Sequence, residues 1–509
     1  MGRAPPAPRG RLTDTLQRAH EGSTGAAFGP TCVGSSPYAR CVGNERADPP
    51  AGPEPLSPED ATLSCATAPG TRLQIGALCR FEGGPLRDAA GRLRREELRE
   101  HVASRLHLMP RFRQRIQRVP FDLARPVWVD DTDFDLDGHL LDATLPPPGG
   151  TAELRQFVGE LLGRPLDAAH PLWDLWLVDG LAGGDVVVVL RADHVLADGL
   201  SLLRAAMALL DLEPDPPAVQ PATPWLAREP PGPATLAARG LLDRGRHQVG
   251  LAAGAARSLL DPRRALQLTR SVVTVATSPP PLAPGFPLTG RIGGRRDFVW
   301  ASLPLEPLHS FAHTHGATLN DGVLALVTLA LRRVLGTAAA DALAGKQPKV
   351  LVPIGDTAGG DGGNVFSFVV TELPVHLDDP ALVVDRVHEA MQDRKASRQS
   401  TDLLALFSVV DVVPIALLRR LGPTVLARQP LVNLAVTNVP GSPVPLYLRG
   451  AELQEMHPIV CGVGNLACII GVLSYRDHLH VGITVDPDVV AEADELADAL
   501  VDVSRQLAG

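Results

Sequence analysis

The chain has 509 residues, enough for two or three domains that each bury a core. Its net charge of −9 argues against a nucleic-acid-binding protein. Hydrophobic residues make up 45 %, yet no run supplies the about 20 consecutive apolar residues of a membrane-spanning helix. The longest candidate, residues 403–418, is interrupted by Asp411 and Pro414. We therefore expect a globular protein that is soluble or bound to a membrane surface.

The first 52 residues differ from the rest of the chain. Residues 1–52 are rich in Gly, Pro, Ala and Arg and show no sustained hydrophobic periodicity, which predicts a disordered extension. A start codon assigned too early is the alternative interpretation. The segment lacks the apolar core of a secretory signal, and the six cysteines form no C-x-x-C pair. These features indicate a reducing, cytoplasmic location.

A first α/β domain is predicted over residues 53–215. Ser57 is placed to cap a helix that begins at Pro58. Hydrophobic periodicity then predicts, in chain order, a strand over 71–83, a helix over 95–106, an extended segment over 125–140 and an amphipathic helix over 151–166. Two apolar runs, 171–181 and 184–193, predict a β-hairpin that is followed by a helix over 200–212.

A linker and a second α/β domain are predicted for the remainder. The linker, residues 216–286, begins with a proline-rich stretch and continues with one or two amphipathic helices. Residues 287–509 form the second domain, because helical and strand patterns alternate there as in the first. A strand followed by a helix is predicted over 295–316. Four more strands cover 349–355, 366–375, 433–441 and 473–486, and the main helices cover 318–335 and 489–507.

The hairpin ends in a stretch that contains residues capable of acid–base chemistry, Asp-His-Val-Leu-Ala-Asp-Gly at residues 193–199. A strand that ends on His194 places an imidazole at the rim of a sheet, where it can accept a proton at neutral pH. Asp198 is placed to cap the next helix or to hold the loop through an arginine. Gly199 is expected to let the chain bend closely into that helix. A structural role for a single histidine at a strand end is the alternative.

Other common catalytic motifs are absent from the sequence. It contains no G-x-S-x-G nucleophile motif, no His/Cys cluster with metal-ligand spacing and no Walker-type phosphate loop. We therefore expect neither a metal nor a bound cofactor.

The 193–199 stretch resembles the His-His-x-x-x-Asp-Gly motif of the bacterial bifunctional wax ester synthase/acyl-CoA:diacylglycerol acyltransferase family. Further segments, including "PLW" at 171–173 and "ND" at 320–321, resemble family segments in family order from about Leu56 to the end. The heptapeptide alone also occurs in chloramphenicol acetyltransferase-like and peptide-condensation domains. Together with "PLW" and "ND", it makes the resemblance specific.

The resemblance implies roles for individual residues. His194 corresponds to the general base that deprotonates an alcohol, and Asp198 and Gly199 complete the motif, with Asp198 architectural. The remaining correspondences are Pro171, Leu172 and Trp173 in an acyl or alcohol pocket, and Asn320 and Asp321 at the start of a second-domain helix. The N-terminus of that helix could polarise an oxyanion, or Asn320 could be a plain helix cap.

The resemblance also implies a fold and substrates. The fold is α/β (α+β), with two chloramphenicol acetyltransferase-like domains and a tunnel between them. The co-substrate is acyl-CoA, and the acceptor is diacylglycerol or a fatty alcohol. The protein would act at a membrane or lipid-droplet surface, peripherally and on the cytoplasmic side. A related transferase with another acceptor, or a catalytically weak lipid-binding protein, is the alternative.

One position departs from the family motif, because Asp193 replaces its first histidine. Successive strand side chains point to opposite faces, so Asp193 is predicted to face away from the side that His194 faces. It is then a structural residue whose carboxylate needs an arginine or a backbone N–H as partner. The competing hypothesis places Asp193 beside the imidazole, where it raises the histidine pKa.

Overall fold

The computed structural model describes residues 53–66, 74–216, 225–260, 282–355, 366–396 and 414–507. The predicted N-terminal extension lies outside these residues, and so do two parts of the predicted linker, 217–224 and 261–281. The first eleven residues of the apolar run 403–418 are also outside them.

The first of two large sheets combines strands from both ends of the chain. Its order is β12-β13-β2-β7-β6-β5, and neighbouring strands are antiparallel except for the parallel pair β5–β6. Its strands are β2 (Gln74–Phe81), β5 (Leu140–Thr144), β6 (Trp173–Asp179), β7 (Val186–Asp193), β12 (Tyr447–Leu448) and β13 (Ala451–Val460). The predicted hairpin is thus β6–β7.

The second large sheet is built from the second half alone. Its order is β10-β9-β11-β14-β15-β8. Its strands are β8 (Asp297–Pro304), β9 (Lys349–Gly355), β10 (Phe366–Glu372), β11 (Leu434–Pro440), β14 (Cys468–Tyr475) and β15 (His478–Val485). The single strand predicted over 473–486 is therefore wrong. The chain reverses at Arg476, whose φ of 54° makes the tight turn of the β14–β15 hairpin.

A small third sheet lies beside the first. Its order is β1-β4-β3, from β1 (Glu54–Pro55), β3 (Gln114–Gln117) and β4 (Val127–Asp130). The segment 125–140, which the sequence predicts as extended, is a strand only at β4. It continues with a 3₁₀ turn at Leu136–Gly138, which precedes β5.

Helices cover the faces of these sheets. In chain order they are α1 (Pro58–Ala66), α2 (Arg95–Arg105), α3 (Thr151–Gly163), α4 (Gly199–Leu209), α5 (Pro233–Leu260), α6 (Leu305–Thr314), α7 (Leu319–Leu335), α8 (Thr337–Asp341), α9 (Pro380–Ala396), α10 (Ile415–Leu426) and α11 (Ala493–Leu507). Ser57 caps α1 as predicted, because its hydroxyl accepts the Asp60 N–H at 3.0 Å. No helix in the described ranges is long and apolar enough to cross a bilayer.

Strand β7 is buried on both faces, which explains its unbroken run of β-branched and apolar residues. Val188 and Leu190 belong to a core that also contains residues of α1, α2 and α4. Val187 and Val189 belong to a second core that also contains residues of α3 and Phe298 of β8. The strand is therefore held firmly between layers, and its end is a rigid place for a functional side chain.

The two halves of the chain are joined by a strand pairing that the sequence does not predict. Strand β13 comes from the second half but pairs with β2, in a register that places His457 opposite Leu78. It also lies against β14 and β15 of the second sheet. The α/β class is confirmed, and β13, which was not predicted, links its two sheets.

Candidate active site

The 193–199 stretch forms a tight connection between β7 and α4. The strand ends at Asp193, a turn covers 194–196, and α4 begins at Gly199. Asp198 is the N-cap of α4, and its side chain accepts the Ser201 N–H at 2.7 Å. The helix-capping role that the sequence predicts for Asp198 is thus present in the structure, and it fixes where α4 starts.

His194 is half-buried immediately after the strand. Burial lowers the pKa of its imidazole below the usual value, and the charge of Asp198 partly opposes this effect. Within the described part of the chain, no other residue hydrogen-bonds its ring. The imidazole is therefore neutral at pH 7 and free to accept a proton from a bound molecule.

Asp193 holds the backbone that follows His194. Its carboxylate accepts the Val195 N–H at 3.0 Å, and its carbonyl accepts the Leu196 N–H at 2.9 Å. A backbone N–H was one of the two expected partners. However, the strand stops at Asp193, so the alternation of strand side chains does not extend to His194 and cannot assign the two residues to opposite faces.

A second acid lies close to Asp193 and was missed by the sequence analysis. Asp60, in the first turn of α1, is half-buried and interacts electrostatically with Asp193 and Asp198. Burial, with the charge of Asp60, raises the pKa of Asp193 to about 6 despite the Val195 N–H. Burial likewise raises the pKa of Asp60 to about 6. In the sequence Asp60 is an ordinary first-turn acid, and only the tertiary fold brings it here.

These pKa values predict how Asp193 affects stability. The folded carboxyl keeps its proton up to about pH 6, whereas the unfolded one releases it near its usual 3.8. The folded state therefore binds more protons in this window, and the contribution of Asp193 to stability falls as pH rises through it. Asp193→Asn keeps an acceptor for the Val195 N–H and cannot ionise. Between pH 4 and pH 8, the free energy of unfolding of Asp193→Asn should rise by about 1 kcal/mol relative to that of wild type, a value that allows for partial exposure of the side chain.

Thermal melts of wild type and Asp193→Asn at pH 4 and pH 8 check this expectation, with Asp193→Ala as the control that also loses the turn acceptor. A constant difference between wild type and Asp193→Asn across pH would contradict the raised pKa. The acid limb of the pH–rate profile should stay in place in Asp193→Asn, because Asp198 is the carboxylate whose charge acts on His194.

Gly199 faces the second half of the chain. A Cβ placed on it would lie 3.9 Å from Cγ2 of Val439 in β11, which is an ordinary van der Waals distance. Gly199 is the first residue of α4 and does not have the positive φ that favours glycine. The predicted reason for glycine at this position, a close bend, is therefore wrong. Its contact with Val439 shows instead that the motif turn adjoins the second sheet.

The structure brings the "PLW" segment to the motif. The Leu172 carbonyl accepts the Asp193 N–H at 2.9 Å, and the Trp173 N–H donates to the Pro171 carbonyl at 2.9 Å. The Trp173 side chain is buried, and its indole N–H donates to the Phe112 carbonyl at 2.8 Å. The indole therefore anchors the start of β6 in the core, and the pocket role of 171–173 stays a prediction.

The "ND" segment lies in the first turn of α7. Asn320 and Asp321 are the second and third residues of α7, and Thr318 is the cap, so the alternative that Asn320 caps this helix is wrong. Asp321 is buried, accepts the Thr318 N–H at 2.9 Å and contacts Nδ1 of His388 at 2.8 Å. Among the described residues no hydrogen bond or ion pair joins either residue to His194. Their substrate-binding role stays a prediction.

An apolar cavity of about 40 Å³ lies between the first sheet and helices α2 and α4. Val188 and Leu190 of β7 form part of its wall, with Leu98 of α2 and Leu209 of α4 opposite. Its lining side chains are all hydrophobic. Leu190 lies in the strand that ends at the motif turn, four residues before His194.

Comparisons with known proteins agree with this geometry. Residues 56–323 match the model of the wax ester synthase/diacylglycerol acyltransferase catalytic domain, and residues 362–507 match that of the WS/DGAT C-terminal domain. The relative Mb0919 of Mycobacterium bovis, named for diacylglycerol O-acyltransferase activity, is 31% identical over 475 residues, or 89% of this chain and 91% of its own. The "probable diacyglycerol O-acyltransferase tgs1" of Mycobacterium tuberculosis is 29% identical, over 86% of this chain and 91% of its own.

Solved structures show the same fold. A wax ester synthase/diacylglycerol acyltransferase from Marinobacter aquaeolei VT8 superposes with a TM-score of 0.64 at 24% identity, over 89% of this chain and 98% of its own. The first condensation domain of the calcium-dependent antibiotic synthetase superposes with a TM-score of 0.56 at 18% identity, over 90% and 98%. The expected fold of two chloramphenicol acetyltransferase-like domains is confirmed. The chain belongs to the wax ester synthase/diacylglycerol acyltransferase family.

Proposed function

We propose that this protein transfers a long-chain acyl group from acyl-CoA to the hydroxyl of diacylglycerol or a fatty alcohol, with His194 as general base. The observation that carries the proposal is the imidazole of His194, which is neutral, has no competing side-chain partner among the described residues and lies at the end of a rigid strand. Membership of the family and the names of its relatives support the acyl transfer reaction.

The proposed reaction has one proton carrier. His194 accepts the proton of the acceptor hydroxyl while its oxygen forms a bond to the thioester carbonyl carbon. The tetrahedral intermediate then collapses, the carbon–sulfur bond breaks, and coenzyme A leaves as a thiol with the proton that His194 returns. Ester and thiol form in equal amounts, and no acyl-enzyme is needed. Asp193 and Asp198 hold the turn on which His194 is positioned.

The names of the family and of its relatives, which refer to wax ester and diacylglycerol acyl transfer, support a long-chain acyl donor. The acceptors are lipids that partition into membranes and droplets. We therefore place the enzyme peripherally at such a surface, on the cytoplasmic side.

A panel of acceptors tests the proposal. Purified protein is mixed with a long-chain acyl-CoA, and free thiol is measured with diacylglycerol, a fatty alcohol, an amine or no acceptor. Thiol release that requires diacylglycerol or the fatty alcohol is expected. Release with the amine alone would indicate a related transferase, and lipid binding without any release would indicate a protein that has lost catalysis; either result rejects the proposal.

A further inference from the structure

Large hydrophobic side chains are exposed around one turn of the first half. Phe121, at the turn that follows β3, has 90% of its surface exposed. Its backbone φ is 58° and that of Asp122 is 51°, so two consecutive non-glycine residues adopt the left-handed conformation. Such residues cost of order 1–3 kcal/mol each and cluster at functional sites. The turn thus presents an aromatic ring to solvent at an energetic cost.

Two helices flank this turn. On one side, Gly240 of α5 packs so closely that a Cβ there would lie 3.0 Å from Ala124 and 3.1 Å from Val119. On the other side, Arg419 of α10 forms an ion pair with Asp122 at 3.0 Å. Both helices are therefore fixed against the segment that displays Phe121.

Both helices expose further apolar residues. On α10 they recur every four residues, which is one stripe of a helix. On α5, Leu241 and Leu242 directly follow Gly240, the residue that packs on the turn, and Val249 lies two turns further along the helix. We call this set the Phe121 face: Phe121, Leu241, Leu242, Val249, Leu417, Leu421 and Val425, each at least 45% exposed.

The charge around the Phe121 face is opposite to that of the whole chain. Within residues 117–125, 233–250 and 415–428, the exposed charged residues are Arg118, Arg239, Arg246, Arg420, Arg428 and Asp243. These are five arginines against one carboxylate, in a chain of net charge −9. Basic residues that border an exposed apolar stripe are typical of surfaces that bind anionic membranes.

The Phe121 face also lies near the candidate active site. Helix α10 packs on α1, where a Cβ on Gly422 would be 3.4 Å from the Cys65 carbonyl oxygen. Ile415 of α10 belongs to the same core as Val195 and Leu196, the residues directly after His194. A surface bound at α10 is thus separated from the motif turn by about one layer of helices.

We infer that the Phe121 face docks this protein onto anionic lipid bilayers, with Phe121, Leu421 and their apolar neighbours inserted among the acyl chains and the arginines at the phosphate headgroups. The inference deepens the proposed function. It rests on that function only for the reason why the protein docks, which is that docking gives access to a lipid acceptor next to His194. Binding itself requires no turnover.

Vesicle flotation tests the inference with the full-length protein. The probes are vesicles of phosphatidylcholine alone and of phosphatidylcholine mixed with phosphatidylglycerol, at low and high salt. Wild type should float with the mixed vesicles, more so at low salt. Phe121→Asp should weaken this binding on the order of tenfold, because the ring no longer inserts. Arg420→Glu should reduce the preference for the anionic vesicles.

The matched control is Leu382→Asp on α9, an exposed leucine outside the Phe121 face with 52% of its surface accessible. It should float like wild type. Failure of wild type to float, equal flotation of Phe121→Asp and wild type, or equal loss in Leu382→Asp would overturn the inference. A dimer of wild type that Phe121→Asp dissociates, without a change in flotation, would assign the face to a second copy instead. Turnover of a short, water-soluble acyl-CoA and alcohol is measured in parallel, so failure of docking and failure of catalysis remain distinct.

Discussion

His194→Ala is expected to lower the rate of acyl transfer by on the order of 10²–10⁴-fold and to leave the fold intact, because a positioned general base contributes about that much. The side chain is half-buried and has no side-chain hydrogen-bond partner among the described residues, so its loss removes little packing. The KM for acyl-CoA should change less than kcat, since the imidazole acts on the acceptor hydroxyl rather than on the thioester.

The pH dependence of the wild-type rate provides a second readout for His194. Only the neutral imidazole can accept the proton, so the rate rises with pH through the pKa of His194. Because burial lowers that pKa, the midpoint of the acid limb should lie below the ordinary value of about 6.5. Activity of His194→Ala within a few-fold of wild type, at an unchanged melting temperature, would remove His194 from the mechanism.

The largest expected loss of stability follows from Arg191, which is three residues before His194. Its side chain is 3% exposed, and Nε donates to Asp174 Oδ1 at 3.0 Å from the neighbouring position on β6. A further guanidinium N–H donates to the Arg164 carbonyl at 2.9 Å. Arg191 thus ties β7 to β6 and to the end of α3.

Arg191→Met is expected to destabilise the protein by about 3–5 kcal/mol, because it leaves the buried carboxylate of Asp174 unpaired. The double variant Arg191→Met/Asp174→Leu removes both charges and should recover a large part of this loss. Urea unfolding of the two variants and wild type measures the difference. A loss of less than about 1 kcal/mol in Arg191→Met, or a double variant that is less stable than the single one, would contradict this account of the pair.

Elements with a strong local pattern could be predicted from the sequence. The β6–β7 hairpin and α4 follow from apolar runs and a capping residue, Asp198, that lie close together in the chain. The same holds for Ser57 at the start of α1. In each case the residues that stabilise the element are its sequence neighbours, so their pattern is visible without the fold.

Features that depend on distant residues could not be predicted. Strand β13 is ordered by pairing with β2, more than 350 residues earlier, and the sequence pattern does not show that partner. The electrostatic interaction of Asp60 with Asp193 and the proximity of Val439 to Gly199 arise in the same way. The β14–β15 turn at Arg476 lacks the Asn-Gly or Asp-Gly pair that marks a tight hairpin, which is why the two strands were predicted as one.

The central claim is direct acyl transfer from acyl-CoA to a lipid hydroxyl at His194. Its most direct test quantifies, by mass spectrometry, the ester formed from a long-chain acyl-CoA and diacylglycerol or a fatty alcohol, together with the thiol released, for wild type and His194→Ala. We predict equal amounts of ester and thiol with wild type, and a loss of both on the order of 10²–10⁴-fold with the variant. Thiol release with free fatty acid and no ester, or ester formation that His194→Ala leaves unchanged, would contradict the claim.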